Sequence, residues 1–400
     1  MRKHKPDLLI AVLMMVLMAV GLIVIYAIGP SWAQFQNGVG DYGYSDSYFF
    51  MRQLMSVAGA VVAFVVAYKV PFKYAERAGK WILIGGFVLC AVLALLGAMG
   101  SGLANCSLGA CRWYRLPMGM SIQPVEILKL GVLIYMAGLI AKRKREGKLE
   151  QKELLVPLAV VAGLTVILVA VLQKDLGSTV VIMFMLACML VVSGMKWRVL
   201  AGIGAGLLAV GALLIICFPH RVERLMSFGG DGADTYHIDN ALLAIGNGGL
   251  FGVGIGNSVQ ATGYLPESIN DSVFAVMGET FGFVGLMAIV IGFAMLLWRL
   301  LKTAGGLETG DTGRFVVVGV FAWVAGHVII NIMGMTGLIP MKGITLPFLS
   351  YGGTSMMFVA LAMGMALQLS GWTKREVSDE NTSGRRGQRG TRYTSSRRGA

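Results

Sequence analysis

The first candidates for chemistry are ionisable residues beside long apolar segments, because such groups are costly near hydrocarbon and mark functional sites. Asp271 stands where one apolar segment begins, close to Glu267, and Glu279 follows two turns further along the same segment. A carboxylate at the start of a helix either caps the helix and meets its dipole or takes part in catalysis. Glu279 must have a partner or carry a proton. The residue types alone leave the role of Asp271 open.

Charged residues in the loops between apolar segments form a second set of candidates: Arg112, Arg115, Lys174, Asp175, Arg221, Arg224 and Lys342. If the cations converge on one cavity, they would bind an anionic ligand, and a diphosphate is the obvious membrane-associated example. Glu126 and Lys129 are spaced i, i+3, so they share one face of a helix. They form either a structural ion pair or a pair that contacts the ligand.

The segment from Thr336 to Ser355, TGLIPMKGITLPFLSYGGTS, has the composition of a loop with a fixed shape. It contains two prolines, several glycines and the cation Lys342, and long apolar segments flank it. Irregular backbone at membrane depth is tolerated only inside protein or along a wet cavity. The segment is therefore predicted to form a re-entrant wall of the binding cavity, with Lys342 directed at the ligand.

The elements that must position these residues are membrane-spanning helices. The chain has 400 residues, of which 56% are hydrophobic and 14% are charged, a composition far outside that of soluble globular proteins. Segments long enough to cross a hydrocarbon core of about 30 Å are 8–29, 51–68, 81–99, 122–141, 154–172, 177–195, 199–217, 272–298, 314–335 and 351–371. The sequence predicts an all-α polytopic membrane protein with ten transmembrane helices and a large extracytoplasmic loop, 218–271, between helices 7 and 8.

The basic residues predict how these helices are oriented. Most of the 34 lysines and arginines flank the spans on one side, so both termini are predicted to be cytoplasmic. The inner leaflet accounts for the net charge of +13, and no nucleic-acid partner is expected. Residues 1–371 form the predicted membrane domain. Residues 372–400 predict a disordered basic cytoplasmic tail, which either contacts anionic lipid or a protein partner or only solubilises the chain.

Cysteines and histidines show no zinc-binding spacing. Cys106 and Cys111 share the second outer loop, and whether they form a disulfide depends on the redox state of the compartment. His327 and Asn331 lie one turn apart in the ninth span. Interhelical hydrogen bonding is the expected role of this pair, and chemistry is the alternative.

Two features mark the large outer loop. Residues 236–247 predict a short interfacial helix with Ile238, Leu242 and Ile245 on one side. The glycine run 248–258 superficially resembles a phosphate-binding loop, but no strand precedes it and no GK[ST] sequence follows it. A nucleotide site is therefore not expected there.

Ordered blocks of the sequence resemble the shape, elongation, division and sporulation (SEDS) family: HKPDLLI (4–10), RWYRLPMGMSIQPVEILKLGVLIYMA (112–137), QKDLGSTVVI (173–182), RVERLMSF (221–228), LLAIGNGGLFGVGIGNS (242–258), DSVFAVMGETFGFVG (271–285) and TGLIPMKGITLPFLSYGGTS (336–355). The resemblance covers nearly the whole membrane portion, from Lys5 to about Leu369. Residues 342–347 are more similar to the division members of the family than to the elongation members.

The resemblance implies a peptidoglycan glycosyltransferase, which transfers a lipid-linked glycan onto the 4-hydroxyl of another lipid II and releases undecaprenyl diphosphate. Asp271 matches the family's essential extracytoplasmic aspartate and is the predicted catalytic residue, as the base that accepts the hydroxyl proton. A divalent cation, Mg²⁺ or Mn²⁺, held by Asp271 is a competing role for the same residue. The predicted substrate-binding residues are Arg112, Glu126, Lys129, Lys174, Asp175, Arg221, Lys342, Ser350 and Tyr351.

The resemblance also implies partners and a location. The partners are lipid II, undecaprenyl-linked glycan, a class B penicillin-binding protein that acts as transpeptidase, and other membrane proteins of the division complex. The location is the bacterial cytoplasmic (inner) membrane, at the division septum.

Two alternatives come from other functional classes. A lipid II flippase would need a polar path across the bilayer, whereas few ionisable residues lie deep in the spans, namely Lys129, Glu279 and His327. A non-catalytic scaffold would recruit division proteins through the tail and the helices.

Overall fold

A computed structural model describes residues 5–40, 42–107, 110–116, 121–217, 222 and 233–373. Ten helices in this part of the chain are long and apolar enough to cross a membrane, which confirms the predicted all-α polytopic fold. We number them with the short helix α8: α1 Leu8–Val39, α2 Tyr48–Lys69, α3 Phe72–Ala98, α4 Pro124–Arg145, α5 Lys152–Thr165 with a π-helical continuation Val166–Leu172, α6 Leu176–Ser193, α7 Trp197–Ile216, α8 Ala233–Asn247, α9 Val273–Gly306, α10 Thr312–Met335 and α11 Gly353–Ser370.

The helices α4, α10 and α11 form the centre of the bundle, since most of their residues are buried. Around them the helices approach closely through small residues, as is usual in membranes. A Cβ added to Gly86 of α3 would lie 2.7 Å from Cα of Leu128, and one added to Gly131 of α4 would lie 2.5 Å from Cα of Leu83. These two glycines therefore bring the backbones of α3 and α4 together.

Contacts between distant segments join the loops at each end of the bundle. At one end, the backbone N–H of Asp7 donates to Oγ of Ser370 over 2.8 Å, and the Asp7 carboxylate forms an ion pair with Arg299 over 2.6 Å. The start of α1 therefore lies beside the end of α11. At the other end, Arg112 contacts the hairpin between α5 and α6. The loop between α3 and α4 thus meets the hairpin between α5 and α6, and residues 7 and 370 lie at the same end of the bundle.

The loop between α3 and α4 contains a small antiparallel sheet, which the all-α prediction missed. Its strands, in the order β1-β2-β3, are β1 Ala104–Ser107, β2 Ala110–Arg115 and β3 Ser121–Ile122. Strands this short carry too little alternation to be recognised in a sequence. Cys106 and Cys111 pair across β1 and β2 and form a disulfide, which answers the question that the sequence left open.

Helix α8 confirms the short helix predicted for residues 236–247, and its buried residues are mostly small. Ile238, Ala241 and Ala244 are buried, whereas Leu242 is 44% exposed. Alanines let α8 lie close to α9, and a pattern of large apolar residues does not reveal a face built from small ones.

Helix α9 is interrupted in its outer part. Gly282 has φ 68° and ψ −170°, so the α-helical hydrogen bonding is broken there. Residues 249–254 of the glycine run pair with the break: Val253 N–H donates to the Glu279 carbonyl over 2.9 Å, and Phe283 N–H donates to the Gly249 carbonyl over 2.8 Å. The glycine run therefore satisfies backbone groups that the break leaves free.

Candidate active site

Asp271 lies just before α9, in a turn that the rest of the bundle holds from two sides. Its carbonyl accepts a hydrogen bond of 2.7 Å from Nδ2 of Asn331 in α10. A Cβ added to Gly343 would lie 3.4 Å from Oδ2 of Asp271, so the carboxyl group packs against the 336–352 loop. Asp271, Asn331, Lys342 and Gly343 line one cavity of about 10 Å³, which has room for roughly one water molecule. The predicted acid and the residue Lys342 thus line the same cavity.

The surroundings of Asp271 change its acidity. Burial and, to a smaller extent, the neighbouring carboxylates of Glu267 and Asp175 raise its pKa from the ordinary 3.8 to about 7, although the Arg112 guanidinium acts in the opposite direction. A carboxyl group with a pKa near neutral can both accept and return a proton at physiological pH. Asp271 therefore has the acidity of a general base or acid.

At the hairpin between α5 and α6, Arg112 and Asp175 come close enough to Asp271 to act on its carboxyl group. Arg112 of β2 donates from its guanidinium to the Lys174 carbonyl over 2.8 Å and to the Gln173 carbonyl over 3.4 Å. The Asp175 carboxylate caps α6 by accepting from Ser178 N–H over 2.9 Å. The Lys174 side chain is exposed. Arg112 therefore fixes the hairpin and contributes positive charge near Asp271.

Backbone strain is concentrated in the same loops. In the described part of the chain, the non-glycine residues with positive φ are Lys174 (53°), Glu267 (48°) and Phe348 (67°). Each lies in a segment that carries a predicted site residue. Such conformations persist only where surrounding structure enforces them, and they cluster at functional sites.

The 336–352 loop has the fixed, non-helical shape that its sequence predicts. Oγ of Ser350 accepts from Leu346 N–H over 2.7 Å, and the Ser350 carbonyl accepts from Nε2 of Gln53 over 3.3 Å. The N–H of Tyr351 donates to the Ile269 carbonyl over 2.8 Å. Ser350 and Tyr351 thus hold the loop to α2 and to the segment before Asp271.

Glu126 and Lys129 lie deeper, at the start of α4. Their side chains are 2% and 1% exposed and form an ion pair of 2.7 Å. Nζ of Lys129 also lies 3.1 Å from Nε2 of His327. These contacts agree with the structural ion pair considered from the sequence, and they connect the pair to the loop only through His327.

Glu279 has the partners that a buried acid requires. Its carboxylate accepts from the Ser258 hydroxyl and, over 3.2 Å each, from the N–H groups of Val259 and Gln260. The side chain is 1% exposed. Glu279 therefore anchors the end of the glycine run. Its role is structural, and it does not line the cavity that contains Asp271.

Sequence comparison identifies the family. A sequence model for FtsW, RodA and SpoVE proteins, described as a cell cycle protein family, matches residues 7–375. The chain belongs to this family. The match confirms the resemblance seen in the ordered sequence blocks.

Individual family members are similar over most of their length. The stage V sporulation protein E of Bacillus subtilis (strain 168) is 33% identical over 380 residues, which cover 93% of this chain and 99% of that protein. The probable peptidoglycan glycosyltransferase FtsW of Alcanivorax borkumensis is 37% identical over 328 residues, which cover 80% and 83% of the two chains. A solved structure described as structural coordination of polymerization and crosslinking by a peptidoglycan synthase complex has 21% identity and a TM-score of 0.69, with 91% and 97% of the chains covered.

For this FtsW/RodA/SpoVE family member, the structure brings together Asp271, Arg112, Asp175 and Lys342, while Arg221 and Arg224 lie outside the described residues. Two residues absent from the predicted site contact it directly. His327 and Asn331 were expected to bond between helices. His327 contacts Lys129 of α4 and the Thr345 carbonyl of the loop, whereas Asn331 donates to the carbonyls of Asp271 and Ile344, which lie outside the helices. The sequence signal for these two residues was a pair of polar side chains one turn apart in an otherwise apolar span.

Proposed function

We propose that the protein is a peptidoglycan glycosyltransferase that polymerises lipid II into glycan strands. Family membership and the printed name of the Alcanivorax relative support the reaction class. The single observation that carries the assignment is the cavity shared by Asp271 and Lys342, with Arg112 near the same carboxyl group. It joins a proton acceptor to cations, which are the two functions that this transfer requires.

In the proposed reaction, the 4-hydroxyl of the GlcNAc of one lipid II attacks the anomeric carbon of the lipid-linked glycan. Asp271 accepts the hydroxyl proton as the new C–O bond forms. The bond from the anomeric carbon to the diphosphate breaks, and undecaprenyl diphosphate leaves with the electron pair. Lys342 and Arg112 stabilise the negative charge on the departing phosphate oxygens. Attack from the opposite face converts the α-linked donor into a β-1,4 product.

The residues at the cavity offer a partial shell for Mg²⁺ or Mn²⁺. Besides the Asp271 carboxylate, Oδ1 of Asn331 is buried without a hydrogen-bond partner among the described residues. One carboxylate and one amide oxygen fit an ion that takes its other ligands from water and substrate phosphate, as Mg²⁺ commonly does. Such an ion would neutralise charge on the diphosphate. The described residues contain no group of three His, Cys, Asp or Glu side chains placed to hold a metal.

The finer assignments belong to the same proposal. We assign the protein to septal cell-wall synthesis in the bacterial inner membrane, because residues 342–347 resemble division members and the Alcanivorax relative carries an FtsW name. A class B penicillin-binding protein is the proposed partner, since the solved structural relative is described as a complex for polymerization and crosslinking.

Polymerisation of labelled lipid II tests the proposal. The purified protein, alone and with its transpeptidase, should convert lipid II into glycan strands, and Asp271→Ala should form no strands while it elutes as a folded protein. Full activity of Asp271→Ala would remove Asp271 from the reaction. Transport of lipid II across vesicles that depends on this protein, without polymerisation, would favour the flippase. Normal division of Asp271→Ala cells would favour the scaffold.

A further inference from the structure

We infer that Asn331 and His327 of α10 are positioning residues that hold the Asp271 segment and the Lys342 loop in one fixed arrangement. The inference rests on the proposed function, since it concerns how the proposed base and the proposed cation are aligned. Neither residue needs to touch the substrate.

Asn331 bridges the two segments with a single amide group. Its Nδ2 donates to the Asp271 carbonyl and to the Ile344 carbonyl, each over 2.7 Å. Both partners are acceptors, so the nitrogen must face them and the assignment of the amide is fixed by chemistry. The side chain is 4% exposed, and water therefore cannot easily replace it. The amide uses both of its N–H groups to join segments that are far apart in the chain.

His327, one turn earlier, holds the next carbonyl of the same loop. Its Nδ1 lies 3.1 Å from the Thr345 carbonyl, and its Nε2 lies 3.1 Å from Nζ of Lys129. An ammonium group has only donors and a carbonyl only accepts. Nε2 must therefore accept from Lys129, and Nδ1 must carry the proton and donate to Thr345. This arrangement requires the neutral ring in one tautomer.

The two side chains together fix adjacent carbonyls of the loop immediately after Lys342 and Gly343. Because α10 supplies both, the loop has the same rigid support as Asp271. A displacement of about 1 Å between reacting groups can lower a rate roughly 100-fold, even when the changed residue is remote from the chemistry. We therefore expect loss of either side chain to lower kcat while KM stays near the wild-type value, since alignment matters most in the transition state.

The test compares variants that remove or retain the hydrogen bonds, in full-length protein with its transpeptidase and lipid II as substrate. Asn331→Leu and Asn331→Asp remove the two amide donors at nearly constant size. His327→Leu removes both contacts of the ring, whereas His327→Gln retains one acceptor and one donor. Thr165→Val is the control, because Thr165 is fully buried in α5 and donates only within its own helix, to Val161.

We expect kcat to fall about 10- to 100-fold in Asn331→Leu, Asn331→Asp and His327→Leu, with KM within about twofold of wild type. His327→Gln should recover most of the lost rate, and Thr165→Val should match wild type. Gel filtration and melting temperature show which variants are folded. If neither Asn331 variant folds, the comparison of His327→Leu with His327→Gln decides.

Three results would overturn the inference: a wild-type kcat in folded His327→Leu or Asn331→Leu, a loss that appears only in KM, or an equal loss in His327→Gln and His327→Leu. These results differ from failure of the proposed function. In that case wild type makes no glycan strands, or Asp271→Ala is fully active, whatever the α10 variants do.

Discussion

Replacing Asp271 by Asn should make the protein more stable and inactive at the same time. The amide has nearly the size of the carboxyl group but cannot ionise, so it removes the charge from a site where burial opposes it. The folded protein holds the Asp271 proton up to a pH of about 7, whereas an unfolded chain releases it near 3.8. Stability of the wild type therefore falls as the pH rises between these two values.

The size of the effect follows from the two pKa values. Each unit between the folded pKa of about 7 and the unfolded pKa of 3.8 corresponds to 1.36 kcal/mol. At pH 8, ionised Asp271 therefore lowers the free energy of unfolding of the wild type by about 4 kcal/mol. At pH 5 the carboxyl group is neutral in the folded protein, and the difference in free energy of unfolding between Asp271→Asn and wild type falls to about 2 kcal/mol. Below pH 4 the two proteins should be equally stable with respect to this group.

Melting temperatures in one detergent between pH 5 and pH 8 measure the effect. Asp271→Asn should melt above wild type at pH 8, and the gap should narrow towards pH 5. Glu308→Gln, an exposed acid changed to an amide far from the cavity, is the control and should leave the melting temperature unchanged. If Asp271→Asn follows wild type at every pH, the carboxyl group is well solvated and the argument for a raised pKa is wrong.

The polymerisation rate should rise with pH through about 7, as Asp271 loses its proton and becomes a base; a rate that is flat from pH 5.5 to 8.5 would contradict this. Glu279→Ala leaves one hydroxyl and two backbone N–H groups without an acceptor, and should lower stability by roughly 3–5 kcal/mol, seen as a lower melting temperature; an unchanged value would contradict it. Gly343 has φ +66°, so Gly343→Ala should lower the free energy of unfolding by about 1–2 kcal/mol and slow polymerisation. Gly138→Ala is the control, because this helix position has room for a methyl group, and it should change neither quantity in that direction.

Hydropathy predicted the number of helices but not their ends. The first span was predicted to end at residue 29, whereas α1 continues through Pro30 to Val39. A hydropathy pattern marks the part of a helix that lies in hydrocarbon, and the helix can continue beyond it as long as its backbone groups are satisfied.

The site could be predicted as a set of residues but not as an arrangement. The sequence indicated Asp271 and Lys342 separately, and their shared cavity depends on Asn331, which contacts the backbone of both segments. Contacts between distant segments leave no local pattern. The same holds for the glycine run 248–258, in which Gly248 and Gly252 leave room for the backbone of α9 beside the break at Gly282.

The break at Gly282 has a mechanical consequence for Asp271. The outer piece of α9, from Val273 to Phe281, is bonded through its carbonyls to the glycine run and is separated by the break from the long remainder of the helix. The glycine run is also bonded to the remainder, because the N–H groups of Phe283 and Val284 donate to the Gly249 and Leu250 carbonyls over 2.8 and 3.1 Å. The run therefore splints the break, and a tilt of the long remainder is passed through it to the short piece that begins beside Asp271.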